Sequence, residues 1–291
     1  MAPSTVPHPR TTLRFRYTRP PLTQSLSTLA LIGGAVGLMA LPGAQEAWAA
    51  WIEATPVAVH LVGAVFVLHG LVFWGMSAAF AYVDAKDRPA FIARHRIQSG
   101  TPREPERARV IANLALNQLL VTPVMLVLLW GALELRGWEV DASFPGLVEV
   151  GRDLVLLGIV SAIYFYASHR FLHRPWWMKH VHRKHHEFRT TRAWAAEYAH
   201  PVEMIFGNFG TLALGVVLIG PNLATLYLYA VIATHTFVAH HSGYAVPWLS
   251  WAVHHDWHHY RYKEAFGTFG LIDRLLGTDE EFRTLNDGDE A

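Results

Sequence analysis

The sequence predicts an all-α protein: a multi-pass membrane helical bundle with a histidine-rich helical cap. Three observations lead to this fold class. The 291 residues are 52% hydrophobic and 16% charged, with a mean hydropathy of +0.20, which is too apolar for an ordinary soluble domain. Several apolar stretches approach the roughly 20 residues that a helix needs to cross a bilayer. The chain also has 18 histidines, of which 14 lie between His169 and His259.

The apolar stretches divide the chain into four regions. Residues 1–22 form a basic N-terminal tail, which we expect to be retained because no small-residue cleavage pattern follows it. Residues 23–150 contain the N-terminal transmembrane helices and loops, residues 151–278 contain most of the histidines, and residues 279–291 form an acidic C-terminal tail.

Four apolar stretches predict membrane helices, and a fifth predicts a hairpin. The four cover residues 26–42, 57–83, 110–133 and 154–168. The fifth, residues 205–239, is interrupted by Gly220-Pro221-Asn222. Glycine and proline end helices, so this stretch is expected to enter the membrane and return as a helical hairpin.

Lysine and arginine alternate between the polar segments as the positive-inside rule requires. The tail has four, residues 43–56 have none, residues 84–109 have seven and residues 134–152 have two. This pattern places the tail, the 84–109 loop and the chain from His169 onward on the cytoplasmic side. We therefore expect a multi-pass integral membrane protein of a bacterial inner membrane or the endoplasmic reticulum.

Three histidine clusters have the spacing of metal ligands on helices. Residues at i, i+3 and i+4 share one face of a helix, so these clusters offer eight convergent nitrogen donors. Eight neutral imidazoles are costly to bury and eight protonated ones repel each other, whereas a cation removes both problems. Eight donors imply two ions rather than one. The clusters are His169-Arg-Phe-Leu-His173, His182-Arg-Lys-His185-His186 and His255-Asp-Trp-His258-His259.

Composition and missing motifs exclude several functions. There is no cysteine, so disulfides, iron–sulfur clusters and thiolate-ligated haem are excluded. The chain has no GxGxxG turn, so we expect no NAD(P)H or flavin domain of its own. It has no HExxH motif and no GxSxG elbow, so zinc peptidase and serine hydrolase chemistry lack their motifs. A net charge of +1 gives no reason to expect nucleic acid. Ligand type alone leaves zinc, copper, iron and nickel open.

The order of the clusters resembles the sterol desaturase and fatty acid hydroxylase superfamily of membrane di-iron oxidases. Further motifs are most similar to the 4-methylsterol oxidases, and the likeness covers about residues 150–278. These motifs are His185-His186-Glu187-Phe188, the run from Ala196 to Glu203, His241-Ser242-Gly243-Tyr244 and the run from His254 to His259.

The resemblance implies a dinuclear iron site held by nine histidines, with dioxygen as co-substrate. The implied ligands are His169, His173, His182, His185, His186, His241, His255, His258 and His259. His200, His240 and His254 are further candidates, either as ligands or as orienting groups. His60 and His69 lie in the second apolar stretch and are interpreted as packed or pore-facing structural residues rather than ligands.

Three carboxylates close to the clusters in sequence have two open interpretations. Glu197, Glu203 or Asp256 could accept a proton from the far nitrogen of a ligating imidazole and thereby orient it. Alternatively, they form plain salt bridges with nearby arginines and lysines. Relatives often have an acidic residue before the first cluster, and here its hydrogen bond to a ligand is either missing or supplied by Asp153 or Glu197.

The expected function is a membrane di-iron monooxygenase that oxidises a C–H bond of a sterol-like or acyl lipid. Because the chain has no redox cofactor domain, the electrons must come from a separate electron-transfer protein. Hydroxylation or desaturation of a fatty acid or carotenoid is the nearest alternative. A di-zinc membrane hydrolase or a metal-binding transporter is the alternative from another class, although a transporter would place ligands within its spans.

Overall fold

The computed structural model describes residues 5–7, 14–16, 23–99, 102 and 104–287. Arg10 and Arg19 of the basic tail, Arg103 of the following loop and the last four residues of the acidic tail lie outside them. The described chain is overwhelmingly helical, as predicted. A small antiparallel sheet joins β1 (Thr5–Pro7), β2 (Arg14–Arg16) and β3 (Gln98–Ser99), and the sequence analysis did not predict it.

Twelve α-helical segments follow one another along the described residues, with two 3₁₀-helices among them. Before the histidine clusters these are α1 (Leu26–Met39), α2 (Ala44–Ala54), α3 (Val59–Lys86), α4 (Ala90–Ala93), α5 (Arg107–Leu135) and α6 (Leu147–Leu172). After them come α7 (Pro175–His180), 3₁₀-helices at His182–Glu187 and Ala193–Glu197, α8 (Pro201–Ile219), α9 (Leu223–His241), α10 (Ala252–Arg261), α11 (Leu271–Leu276) and α12 (Glu280–Asp287).

Four of these helices, α3, α5, α8 and α9, are long and apolar enough to cross a membrane. The pair α1 and α2, bent by 87°, would count as a fifth span if taken together. The predicted hairpin is present, because α8 ends at Ile219 and α9 begins at Leu223. The predicted stretch 154–168 lies within α6, which is longer than expected and is not among the four. Its ends are polar, with Arg152 and Asp153 near the start and Arg170 near the end.

The polar segments gather at two opposite ends of the bundle. At one end, Trp138 Nε1 donates to the Pro221 carbonyl over 3.0 Å and Asn222 Nδ2 donates to the Ser143 carbonyl over 3.1 Å. At the other end, the backbone N–H of Ile97 donates to the Gly243 carbonyl over 2.9 Å. The basic 84–109 loop therefore packs on the histidine-bearing segments, as the lysine and arginine pattern predicts.

Apolar side chains form the core between the helices and also cover their outer surfaces. One buried cluster brings together Leu61, Leu126, Leu157 and Leu226 from α3, α5, α6 and α9. Many other large apolar side chains on the same helices are exposed, including Leu71, at 67%, and Leu119, at 71%. Apolar patches of this extent are typical of a surface that contacts lipid.

Candidate metal centre

The structure brings nine histidines together in two buried groups. A five-histidine group consists of His169, His173, His182, His186 and His258, and a four-histidine group consists of His185, His241, His255 and His259. Within each group, the candidate ligand atoms all lie within 4.8 Å of one another. These are the nine residues that the motif resemblance singled out.

The two groups interlock, because the second and third clusters each contribute to both. The second cluster lies on the 3₁₀-helix His182–Glu187. Its outer residues, His182 and His186, belong to the five-histidine group, whereas His185 belongs to the other. The third cluster lies on α10 and divides in the opposite sense. Its first and last histidines, His255 and His259, belong to the four-histidine group, and His258 belongs to the five-histidine group. The two groups therefore share the segments that hold them.

Backbone carbonyls orient five of the nine imidazole rings. In each case Nδ1 lies within hydrogen-bond distance of a carbonyl oxygen. A carbonyl can only accept, so Nδ1 carries the proton, and in the neutral ring Nε2 is left with a free lone pair. The pairs are His169 with Phe266 (2.7 Å), His185 with Tyr198 (3.1 Å), His241 with Phe237 (2.8 Å), His258 with Glu264 (2.8 Å) and His259 with Phe188 (2.9 Å).

The Nε2 atoms point at each other at distances that suit a shared cation. His185 Nε2 and His241 Nε2 lie 3.2 Å apart, yet both rings are protonated at Nδ1, so no proton lies between two lone pairs. The other Nε2–Nε2 contacts between neighbours in the two groups measure 2.9 to 3.3 Å. Two nitrogens bound at about 2.1 Å and at right angles to each other would be about 3.0 Å apart. The residues therefore fit metal ions.

Five of the imidazoles are held in the neutral form that binds metal. Burial, followed by the charge of neighbouring histidines, holds the pKa of His182, His186 and His255 well below the ordinary value of 6.5. The same causes lower the pKa of His258 and His259. Neutral imidazole is the metal-binding state, so at physiological pH these rings need lose no proton to bind a metal ion.

The three predicted carboxylates have three different roles. Glu203 Oε1 accepts from His182 Nδ1 over 2.8 Å, so it orients an imidazole of the five-histidine group as expected. Glu197 lies 2.8 Å from His69 Nε2 instead. Asp256 is buried and accepts from Gln98 over 2.8 Å and from Thr191. Its burial raises its pKa to about 6, against the effect of these two hydrogen bonds. None of the three forms a salt bridge with the arginines and lysines that the alternative interpretation proposed.

The remaining candidate histidines lie outside both groups. His200 Nδ1 accepts from the Val202 N–H over 3.2 Å and caps a helix. His240 bonds to Ser250. His254 is buried and stacks on Trp251, with ring centroids 5.2 Å apart.

Two other predictions about polar residues have different outcomes. Asp153 pairs with Arg152 rather than with a ligand of the first cluster. In that cluster, the Phe266 carbonyl accepts a hydrogen bond from His169. His60 contacts the Thr55 carbonyl at 3.0 Å and is a structural residue, as interpreted. His69 is different, because it faces a cavity.

An apolar cavity lies between the four spanning helices. Its volume is about 70 Å³. Ala196, Asn208 and Phe237 line both this cavity and a smaller one whose wall includes residues of both groups, such as His182 and His255. The two cavities therefore lie side by side and share these three wall residues.

Fold and site together define a class: an all-α protein with membrane-length helices and a buried nine-histidine centre. The sequence matches the fatty acid hydroxylase family over residues 154–278. It is 31% identical over 232 residues to methylsterol monooxygenase 2-2 from Arabidopsis thaliana, covering 76% of this chain and 86% of that protein. The chain belongs to the fatty acid hydroxylase family of the sterol desaturase superfamily, which confirms the resemblance seen in the motifs.

Other relatives carry different names. The chain is 32% identical over 216 residues to fatty acid hydroxylase domain-containing protein 2 from Macaca fascicularis, covering 73% of this chain but 65% of that protein's length. It is 31% identical over 232 residues to very-long-chain aldehyde decarbonylase GL1-11 from Oryza sativa subsp. indica, covering 75% of this chain and 85% of that protein. The relatives named as monooxygenases and hydroxylases are oxidoreductases. No solved structure matches the chain.

Proposed function

We propose that this protein is a membrane oxidoreductase that binds two iron ions through its nine clustered histidines and oxidises a C–H bond of a lipid. The observation that carries the proposal is the contact between His185 Nε2 and His241 Nε2. Two lone pairs 3.2 Å apart in a buried site repel each other, and a metal ion bound by both nitrogens would remove this cost. When bound, a pair of iron ions supplies the dioxygen chemistry that attacks an unactivated C–H bond.

The number of donors favours iron over zinc. Protein zinc sites are almost always four-coordinate and tetrahedral when structural, whereas the first group offers five nitrogens. Five nitrogen donors exceed the four that tetrahedral zinc takes, so this group would suit iron. The four-histidine group would hold the second ion.

The protein's own residues supply placement of the ions and exclusion of water. Glu203 and five backbone carbonyls hold the imidazole rings so that Nε2 atoms converge. Phe165, Leu172 and Phe237 line the smaller cavity beside the histidines. These side chains keep the site apolar on the side from which a lipid arrives. The catalytic region we propose is residues 151–278.

A lipid is the substrate class that the cavity supports. Its walls are contributed by helices of membrane length, so a lipid can enter from the bilayer without crossing water. Of the relatives, one is named for methylsterols and another for fatty acids. We propose oxidation of a sterol-like lipid, with an acyl lipid as the alternative.

Electrons would reach the site through a surface cleft beside the five-histidine group. Half-buried His173 lines this cleft together with Arg170, Arg174, Lys263 and Glu264. Among the nine histidines, His173 is the most exposed. We therefore propose that a separate electron-transfer protein docks at this cleft. The packing of the basic 84–109 loop on the same end supports a cytoplasmic site, in a bacterial inner membrane or the endoplasmic reticulum.

The test is metal analysis and oxygen uptake on the purified full-length protein. We expect two irons per chain, and dioxygen consumption that requires both a reductant and added lipid. Comparing lipid extracts of cells with and without the gene should reveal the oxidised product. Tightly bound zinc together with hydrolysis that proceeds without oxygen would overturn the proposal in favour of a di-zinc hydrolase.

A further inference from the structure

The apolar cavity contains an unexpected set of polar side chains. Each of the four spanning helices contributes one, namely His69 from α3, Thr122 from α5, Asn208 from α8 and Thr234 from α9. Glu197, at the end of a 3₁₀-helix, is the fifth. Ionisable groups at membrane depth are costly and usually functional. Neither His69 nor Glu197 belongs to the histidine groups, so the metal centre does not account for this set.

Hydrogen bonds fix where the protons of this set lie. The Thr234 hydroxyl donates to the Ala230 carbonyl over 2.8 Å, so its oxygen accepts from His69 Nδ1 over 3.1 Å. His69 Nε2 then faces Glu197 Oε1 over 2.8 Å. Gln118 donates to the other carboxylate oxygen, Oε2, over 2.8 Å. His69 and Glu197 therefore form a close pair, although the geometry at Nε2 is not that of a hydrogen bond.

Thr122 adds a hydroxyl that has no protein partner. The residue is 6% exposed, and its Oγ1 has no hydrogen-bond partner in the part of the chain that the structure describes. A buried hydroxyl without a partner costs free energy. A ligand in the cavity that offers a hydrogen bond would remove that cost.

The charges of the residues that line the cavity indicate which chemical class of ligand it binds. Among the residues that the structure describes, no lysine or arginine lines the cavity, so a carboxylate or phosphate would be buried without a counter-charge and next to Glu197. A pure hydrocarbon would leave Thr122 unpaired. An alcohol can both donate to Glu197 and accept from Thr122 without bringing a charge into the cavity.

We propose that His69, Glu197 and Thr122 bind the hydroxyl group of an amphipathic lipid whose hydrocarbon part lies against the apolar walls of the cavity. Asn208 and Phe237 line both this cavity and the one beside the histidines, so a lipid held by its hydroxyl presents a defined carbon to the metal centre. This consequence rests on the proposed oxidase function, whereas the binding of the alcohol does not. The three residues would thereby determine substrate specificity.

The experiment measures equilibrium binding of radiolabelled hexadecanol, hexadecane and palmitate to the purified full-length protein in detergent, without reductant or dioxygen. We expect Thr122→Val, which keeps the shape of the side chain, to weaken hexadecanol binding about tenfold and to leave hexadecane binding unchanged. The matched control is Thr225→Val, since Thr225 is also buried with an unpartnered hydroxyl but does not line the cavity. It should change neither affinity.

A second variant removes the charged pair as a unit. In the double variant His69→Leu with Glu197→Leu, neither partner remains as an unpaired buried charge. Replacing both partners of a buried pair by apolar residues is often tolerated. It should also reduce hexadecanol binding about tenfold or more and spare hexadecane. Equal losses for both probes, or tighter binding of palmitate than of hexadecanol, would overturn the proposal. Selective alcohol binding by a protein that consumes no dioxygen would support this inference and reject the oxidase.

Discussion

At the scale of single residues, the centre depends on rings whose two nitrogens have different tasks. In five of the nine histidines, Nδ1 donates to a backbone carbonyl and so directs Nε2 towards its neighbours. His186 differs, because its Nδ1 is buried and has no partner among the described residues, while its Nε2 contacts His173, His182 and His258. The contacts of Nε2, rather than any contact of Nδ1, therefore hold the His186 ring in position.

Replacing His186 tests whether it is a ligand. His186→Ala should reduce bound metal from two ions per chain towards one and reduce lipid oxidation roughly 100-fold or more. Metal content by plasma emission spectrometry and oxygen uptake are the measurements. The control is His180→Ala, because His180 is exposed and its ring centroid lies 4.9 Å from that of Trp176, outside both histidine groups. Two metals in His186→Ala would remove this residue from the ligand set.

Replacing Glu203 tests the orienting hydrogen bond to His182. Glu203→Leu removes the acceptor and should weaken metal affinity about 10- to 100-fold, whereas Glu203→Gln keeps an oxygen acceptor and should retain more affinity. Competition with a chelator gives the affinities. Identical affinities for Glu203→Leu and the wild type would show that the 2.8 Å contact does not orient the ring.

At the scale of elements, short irregular segments carry as much of the site as the long helices do. The turn after α9 contains Gly243, whose φ of +80° belongs to the left-handed region. A Cβ there would lie 2.8 Å from the Thr191 carbonyl oxygen. This close approach packs the turn that follows His241 against the segment that follows the second cluster.

Gly243→Ala should therefore destabilise the protein. The left-handed backbone and the clash together should cost about 2–4 kcal/mol of unfolding free energy and lower the thermal inactivation temperature in detergent. Metal binding should weaken as well, since His241 lies two residues away. The control is Gly158→Ala within α6, where a Cβ would meet nothing within 4 Å; alanine is favoured there. Equal inactivation temperatures for the two variants would contradict this account.

At the scale of the whole molecule, a buried polar junction joins the spanning helices to the cap. Asp84, near the end of α3, accepts from Arg96 over 2.9 Å, from Arg192 over 2.9 Å and from Tyr244 over 2.7 Å. These partners belong to the basic loop, the segment after the second cluster and the turn after α9. Three parts of the chain that are distant in sequence thus meet at one carboxylate.

Removing this junction should loosen the cap as a unit. Asp84→Ala leaves Arg96 and Arg192 without this partner and should cost about 2–4 kcal/mol, with a lower inactivation temperature and partial loss of metal. Asp87→Ala is the matched control, because Asp87 bonds to Arg96 over 3.0 Å but its side chain is 80% exposed. An exposed pair contributes under about 1 kcal/mol. Similar losses in both variants would show that burial does not decide the effect.

The sequence determined the parts of this protein that local chemistry controls. Apolar length predicted α3, α5 and the α8–α9 hairpin, because a helix satisfies its own backbone hydrogen bonds in a bilayer. Imidazole spacing singled out the eight clustered histidines, and the motif after α9 added His241. These features depend on neighbours within a few residues, so the order of residue types was enough to predict them.

Only the tertiary structure decided how these parts meet. The division of His182, His185 and His186 between two groups depends on where α10 approaches their 3₁₀-helix. The acceptor for His169 is a carbonyl 97 residues away, and every residue has a carbonyl, so no residue type marks it. Glu197 was a candidate partner for a ligand but faces His69, 128 positions earlier in the chain. Such contacts join distant segments through packing, which residue order alone does not specify.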